Sequence, residues 1–109
     1  MKNSPQPGEV WFVDIGYDAK PRYYMVMATP DSAGRLDIFS AIQITKQCGE
    51  TPYEVTLPRV PWLAEQSYCN AQTIQPLKRT DFVRKAAGQF YPAVFEEVRR
   101  ALKKWLALP

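Results

Sequence analysis

Residues 22 to 28 read Arg22-Tyr23-Tyr24-Met25-Val26-Met27-Ala28, a nearly unbroken apolar run behind a single cation. A run of this length, rich in aromatic and β-branched side chains, is expected of a strand buried on both faces. Before it, Glu9-Val10-Trp11-Phe12-Val13-Asp14-Ile15 has the same character and is punctuated by Gly8 and Gly16, which predicts a first strand. After it, the turn-forming residues 29 to 34 lead to a third strand from about Leu36 to Ile44. Tyr53 to Leu57, Ser67 to Ile74 and Phe82 to Ala87 read as further short strands, and Pro58 and Pro61 bracket a loop carrying Trp62. Short strands regularly separated by turns predict a small barrel.

The period changes at Pro92. Val94, Phe95, Val98, Ala101, Leu102, Trp105 and Leu106 recur at three and four, with Glu96, Glu97, Arg99, Arg100, Lys103 and Lys104 on the other face. This predicts one amphipathic helix over 92–107, its acidic residues early and its basic residues late, as the helix dipole favours. Phe95 and Trp105 are expected to close the barrel, and Glu96 and Arg100 are spaced for an ion pair. The expected architecture is mainly β with a C-terminal α-helix: a flexible segment 1–7, then one barrel domain over 8–109.

The 109 residues are 46% hydrophobic and 23% charged, enough for one modest core. With no apolar run near 20 residues and no hydrophobic leader at the start, the chain reads as soluble and cytoplasmic. It contains no histidine, which excludes a Ser-His-Asp triad, an HExxH zinc site and a nuclease built on paired imidazoles. Cys48 and Cys69 lack the neighbours of a zinc ribbon or a CxxC motif and are expected to be reduced, partly buried thiols; no metal or cofactor site is expected. Residues 1–76 carry 6 positive and 8 negative charges, and residues 77–109 carry 8 and 3. That basic cluster falls largely on the predicted helix face, where charge is commonly only solvating.

Three features bear on chemistry. Arg22 stands at the mouth of an apolar strand and needs an anion: either a carboxylate of its own chain, Asp14 or Asp18, or a ligand. Thr45-Lys46-Gln47 offers a hydroxyl, an ammonium and an amide at a strand end, which is either an ordinary loop start or a phosphate site. Asn70 and Gln72, two apart and so on one face of a predicted strand, either read base edges or satisfy backbone groups.

The order of these elements carries more than any one of them. Gly8-Glu9-Val10-Trp11-Phe12-Val13-Asp14-Ile15-Gly16 resembles the opening of the MazF/PemK (Kid-like) toxin endoribonucleases. Arg22 and the run to Met27 occupy the place of that family's Arg-Pro-led strand. Gln43-Ile44-Thr45-Lys46-Gln47, Pro52-Tyr53-Glu54-Val55 and Ser67-Tyr68-Cys69-Asn70-Ala71-Gln72 resemble its later segments, so the similarity spans nearly all of residues 7 to 108. The departures are Tyr23 in place of a proline, Ala28 of a serine, Gln43 of a proline and Lys46 of a small hydroxyl residue. Asn70 and Gln72 stand where some members carry an aspartate and an arginine.

The resemblance implies an SH3-like barrel of the CcdB/PemK-like kind, a homodimer, and metal-independent cleavage of single-stranded RNA at short sequences. It also implies an antitoxin partner whose acidic, disordered tail lies in the RNA groove. Carried onto this sequence, Arg22 would stabilise the pentavalent phosphorus and Thr45 would orient the scissile phosphate. Lys20, Tyr23, Lys46, Gln47, Asn70 and Gln72 would bind substrate, with Tyr23 placed to stack on a base. The alternative is a non-catalytic barrel of the same fold that sequesters an antitoxin or, like CcdB, inhibits DNA gyrase.

Overall fold

The structure, a computed structural model, describes residues 4–16, 20–30 and 36–109. Seven strands and one helix follow in order: β1 (Val10–Val13), β2 (Arg22–Ala28), β3 (Ile38–Thr45), β4 (Glu54–Thr56), β5 (Tyr68–Asn70), β6 (Gln75–Lys78), β7 (Phe82–Lys85) and α1 (Pro92–Trp105). The expected mainly-β fold with a C-terminal helix is therefore present. All pairings are antiparallel, in the order β4-β5-β3-β2-β1-β7, with β6 also on β3. Among the described residues no ladder joins β4 to β7, so the sheet curls without closing.

β3 organises the curl. Ile38 to Ala41 pair with β6 while Ile44 and Thr45 pair with β5, so one strand serves two neighbours along its length. Register shifts at Phe12/Val13 and at Val26/Ala28 bend β1 and β2, as bulges do.

The apolar run of β2 is buried from Tyr24 to Met27, and alternation divides it between two cores. Met25 and Met27 join Val10, Ile42, Ile44 and Leu57 under Val94 and Val98 of α1. Tyr24 and Val26 join Trp11, Phe39, Ala41, Leu77 and Phe82 on the opposite face. Burying both faces removes the polar alternation that a half-exposed strand would show.

Four local expectations change. Tyr68 to Asn70 form a strand, but Ala71–Thr73 turn as a 3-10 helix before β6 begins, so Ser67–Ile74 is not one strand. The cause is Asn70, whose Oδ1 accepts the Gln72 amide at 3.0 Å while Thr73 Oγ1 donates to the Asn70 carbonyl at 2.8 Å. On α1, Glu96 pairs with Arg99 at 3.2 Å rather than with Arg100. Phe95 does cover the sheet, lying over Gly8, whose φ of +90° suits glycine and whose Cβ would sit 3.5 Å from the Phe95 ring. Trp105 instead stays 41% exposed, edge-on to Tyr53 with centroids 5.2 Å apart. Of the thiols, Cys69 is buried and Cys48 exposed. No helix among the described residues is long and apolar enough to cross a membrane.

Candidate functional site

Arg22 opens β2 and Thr45 ends β3. The ladder between these strands has Tyr24 opposite Gln43, and the same register carried two residues further sets Arg22 opposite Thr45. Both line an open cleft of about 580 Å³, together with Phe12, Tyr23, Gln43, Lys46, Gln47 and a wall from the β4–β5 loop that includes Trp62 and Glu65.

The arginine is exposed, so the desolvation that would force a partner on it is absent. No ion pair joins it to an acid among the described residues, and Asp14 is occupied by the Gly16 amide, which donates to Oδ1 at 2.9 Å. Asp18, the other expected partner, lies outside the described residues. The positive field of Arg22 reaches the Tyr24 phenol. Burial raises the pKa of that phenol above the ordinary tyrosine value, and Arg22 opposes the rise. Its hydroxyl lies 3.4 Å from the side-chain oxygens of both Gln43 and Gln75, to one of which it donates at a time.

Thr45 Oγ1 accepts the Gln47 amide at 3.2 Å. This fixes the first turn of the following loop and leaves the hydroxyl proton free to donate into the cleft. Lys46 Nζ stands 3.5 Å from Glu65 Oε2, a pair exposed on both sides.

A second cleft of about 620 Å³ lies beside the first and shares Gln43, Thr45 and Gln47 with it. Its other walls are Cys48, Gly49, Glu54, Asn70 and Thr73. Asn70 spends its side-chain oxygen on the turn, so its amide NH2 remains available. Glu54 gathers the loop after Thr45: its carboxylate accepts the Gly49 amide at 2.6 Å, the Glu50 amide at 3.1 Å and the Cys48 thiol at 3.2 Å. Partial burial pulls its pKa upward, but these three donors outweigh it and hold the carboxyl below the usual glutamate value. The same contact pushes the Cys48 thiol up.

Of the residues singled out from sequence, Arg22, Tyr23, Thr45, Lys46 and Gln47 therefore meet in one cleft, and Asn70 lines its neighbour. Lys20 and Gln72 are exposed and line neither. Because Gln72 sits on the 3-10 turn, it does not share a strand face with Asn70. Sequence reasoning missed Phe12, Trp62, Glu65 and Glu54 as cleft residues. A tryptophan directly after Pro61, in a loop that two prolines open, was the available signal for Trp62, since an aromatic with no place in a strand or helix period needs another seat.

No family model matches this sequence, and no curated protein does. Solved structures do. An endoribonuclease from a mycobacterial species, determined in complex with its cognate antitoxin, has a TM-score of 0.78 at 23% identity, covering 97% of this chain and 98% of its own. A chain of the MazE–MazF complex from Deinococcus radiodurans gives 0.79 at 19% identity, covering 99% and 100%. The Mycobacterium tuberculosis toxin MazF-mt6 gives 0.76 at 17% identity, covering 93% and 98%. With identities this low and coverage this complete, the shared property is the backbone: this chain has the fold of the MazF toxins.

Proposed function

We propose that this chain is the toxin of a toxin–antitoxin pair, a MazF-like endoribonuclease that cuts single-stranded messenger RNA at short sequences without a metal ion. The observation that carries this reading is an exposed Arg22 guanidinium, with no acid paired to it among the described residues, sharing an open cleft with the Thr45 hydroxyl. In the reaction the RNA 2′-oxygen loses its proton and attacks the adjacent phosphorus. The bond from phosphorus to the 5′-oxygen breaks and that oxygen takes up a proton, leaving a 2′,3′-cyclic phosphate and a 5′-hydroxyl.

Arg22 offers a planar fork of donors to the phosphate oxygens as negative charge builds on them, and its high pKa suits it to charge stabilisation rather than to proton abstraction. Thr45, held by the Gln47 amide, donates a hydrogen bond from its hydroxyl to a non-bridging oxygen and so orients the scissile phosphate. Lys46 raises phosphate affinity, Tyr23 stacks on a base, and Gln47 and Asn70 contribute to base choice, while Lys20 and Gln72, outside both clefts, meet only RNA that extends beyond them. With Thr45 common to both clefts, the strand crosses the end of β3 with its scissile phosphate there and a nucleotide on either side. The working unit is a homodimer, and an antitoxin with an acidic, disordered tail competes for the same cationic groove.

The test is digestion of a mixed single-stranded RNA in EDTA by the protein and by its Arg22→Ala and Thr45→Ala forms. Sequence-restricted cuts with cyclic-phosphate ends, lost in both variants, are expected. Equal cutting by all three forms would point to a contaminating nuclease. No cutting by any of them, with antitoxin binding retained, would leave the non-catalytic barrel.

A further inference from the structure

Trp62 is half-buried, lines the first cleft, and belongs to no strand or helix. Its seat is nevertheless fixed from three sides. The indole meets Phe90 with centroids 5.2 Å apart and Tyr23 edge-on at 6.1 Å, and Tyr23 in turn meets Phe12 at 5.2 Å. From the third side it lies on the backbone of Gly88: a Cβ there would overlap Nε1 and stand 2.7 Å from Cδ1. The loop carrying it is pinned as well, by Gln66 Nε2 donating to the Leu57 carbonyl at 2.5 Å and by Arg59 donating to the Ala64 carbonyl at 3.3 Å.

A large, rigid π-surface held in place before a ligand arrives, beside an exposed guanidinium, is what single-strand binders use to stack bases. We propose that Trp62 is a substrate-binding residue that stacks on the nucleobase flanking the scissile phosphate, and that Gly88 is the positioning residue that seats it. This rests on the RNA-cleaving function proposed above. Tyr23 and Trp62 then form one continuous aromatic wall, and an alanine at position 88 displaces the wall without touching Arg22 or Thr45.

The experiment measures binding of a short cleavable-site RNA made inert by a 2′-deoxy nucleotide at the attacking position. The same RNA is made with an abasic nucleotide at each position next to the bond in turn. Trp62→Ala and Gly88→Ala are expected to weaken binding of the intact RNA by about 5- to 150-fold, the range for losing one stacked base, while Trp62→Phe keeps most of the affinity. At one abasic position the wild-type protein is expected to lose the same factor, and Trp62→Ala to bind intact and abasic RNA alike.

A merely structural role predicts that Trp62→Ala weakens every RNA equally, with the abasic penalty unchanged; that result overturns the proposal. Unchanged binding by both Trp62→Ala and Gly88→Ala also overturns it, while Arg22-dependent cutting by the same preparations keeps the nuclease reading standing. Failure of the wild-type protein to bind any single-stranded RNA would remove the nuclease reading itself.

Discussion

Lys46 and Glu65 meet across the first cleft, Nζ to Oε2 at 3.5 Å, with both side chains mostly exposed. An exposed pair of this kind contributes about 0 to 1 kcal/mol, so a phosphate entering the cleft can take the lysine from the carboxylate at little cost. Glu65→Gln is therefore expected to tighten binding of an uncleavable RNA by about two- to fivefold at low salt, with the gain shrinking as salt screens the site. Lys46→Ala should weaken binding and make the log–log salt slope shallower by about 0.7, one phosphate's share on a single strand. Fluorescence anisotropy across a salt series reads both, and an unchanged slope in Lys46→Ala would remove Lys46 from the phosphate site.

Arg22 lies outside both cores. Exposed and without an ion pair among the described residues, it can be replaced by alanine with a stability change within about 0.5 kcal/mol. Cleavage should nonetheless fall by about 100- to 1,000-fold or more, the order for losing one preorganised charge-stabilising donor. Arg22→Lys should recover only part of it, because an ammonium lacks the planar fork. Thermal melts and single-turnover cleavage on the same preparations separate the two effects, and a large melting shift in Arg22→Ala would mean the guanidinium is structural.

How far the sequence could be read depends on where each signal resides. β2 is visible because burial on both faces writes itself into four adjacent residues, Tyr24 to Met27, and α1 because Val94 and Val98 keep a helical period. Gln75–Lys78 escapes notice because Pro76 argues against a strand; it is tolerated there because, among the described residues, β6 pairs on one side only, with β3. The break after Asn70 comes from one side-chain oxygen accepting one amide, which leaves no periodic trace. Arg22 and Thr45 are legible through their resemblance to family segments. Their meeting depends on the β2–β3 register, and the loop wall with Trp62 and Glu65 depends on packing, so neither is written locally.

Glu54 makes the loop after Thr45 dependent on acid conditions. Its folded pKa lies below the ordinary glutamate value of 4.5 because Gly49, Glu50 and Cys48 donate to the carboxylate against the pull of burial. A depressed pKa means that the stabilisation is fully present above the ordinary value and is lost as pH falls through the depressed one. Loop order, followed by amide exchange of Gly49 and Glu50, should therefore hold at neutral pH and loosen only below about pH 4.5. Glu54→Gln should show the looser loop already at neutral pH, at a cost of about 1 to 2 kcal/mol for weakened hydrogen bonds to a charged acceptor. Identical exchange in the variant and the wild type would show that the carboxylate does not hold this loop.

The two thiols should behave as different species. Cys69 is fully buried in the core under α1, and burial pushes its pKa up to about 12, so no thiolate is available and no reagent can reach it. Cys48 is exposed, but its proton is held by Glu54, which raises its pKa as well. An aromatic disulfide reagent should therefore titrate one thiol in the native protein and two after denaturation. The native reaction should be slower than that of a small free thiol and should speed up as pH rises above the ordinary cysteine range. Replacing Glu54 with glutamine removes the anionic acceptor and should quicken the native reaction at neutral pH. A rate insensitive to that substitution would show that the Cys48–Glu54 contact does not persist in solution.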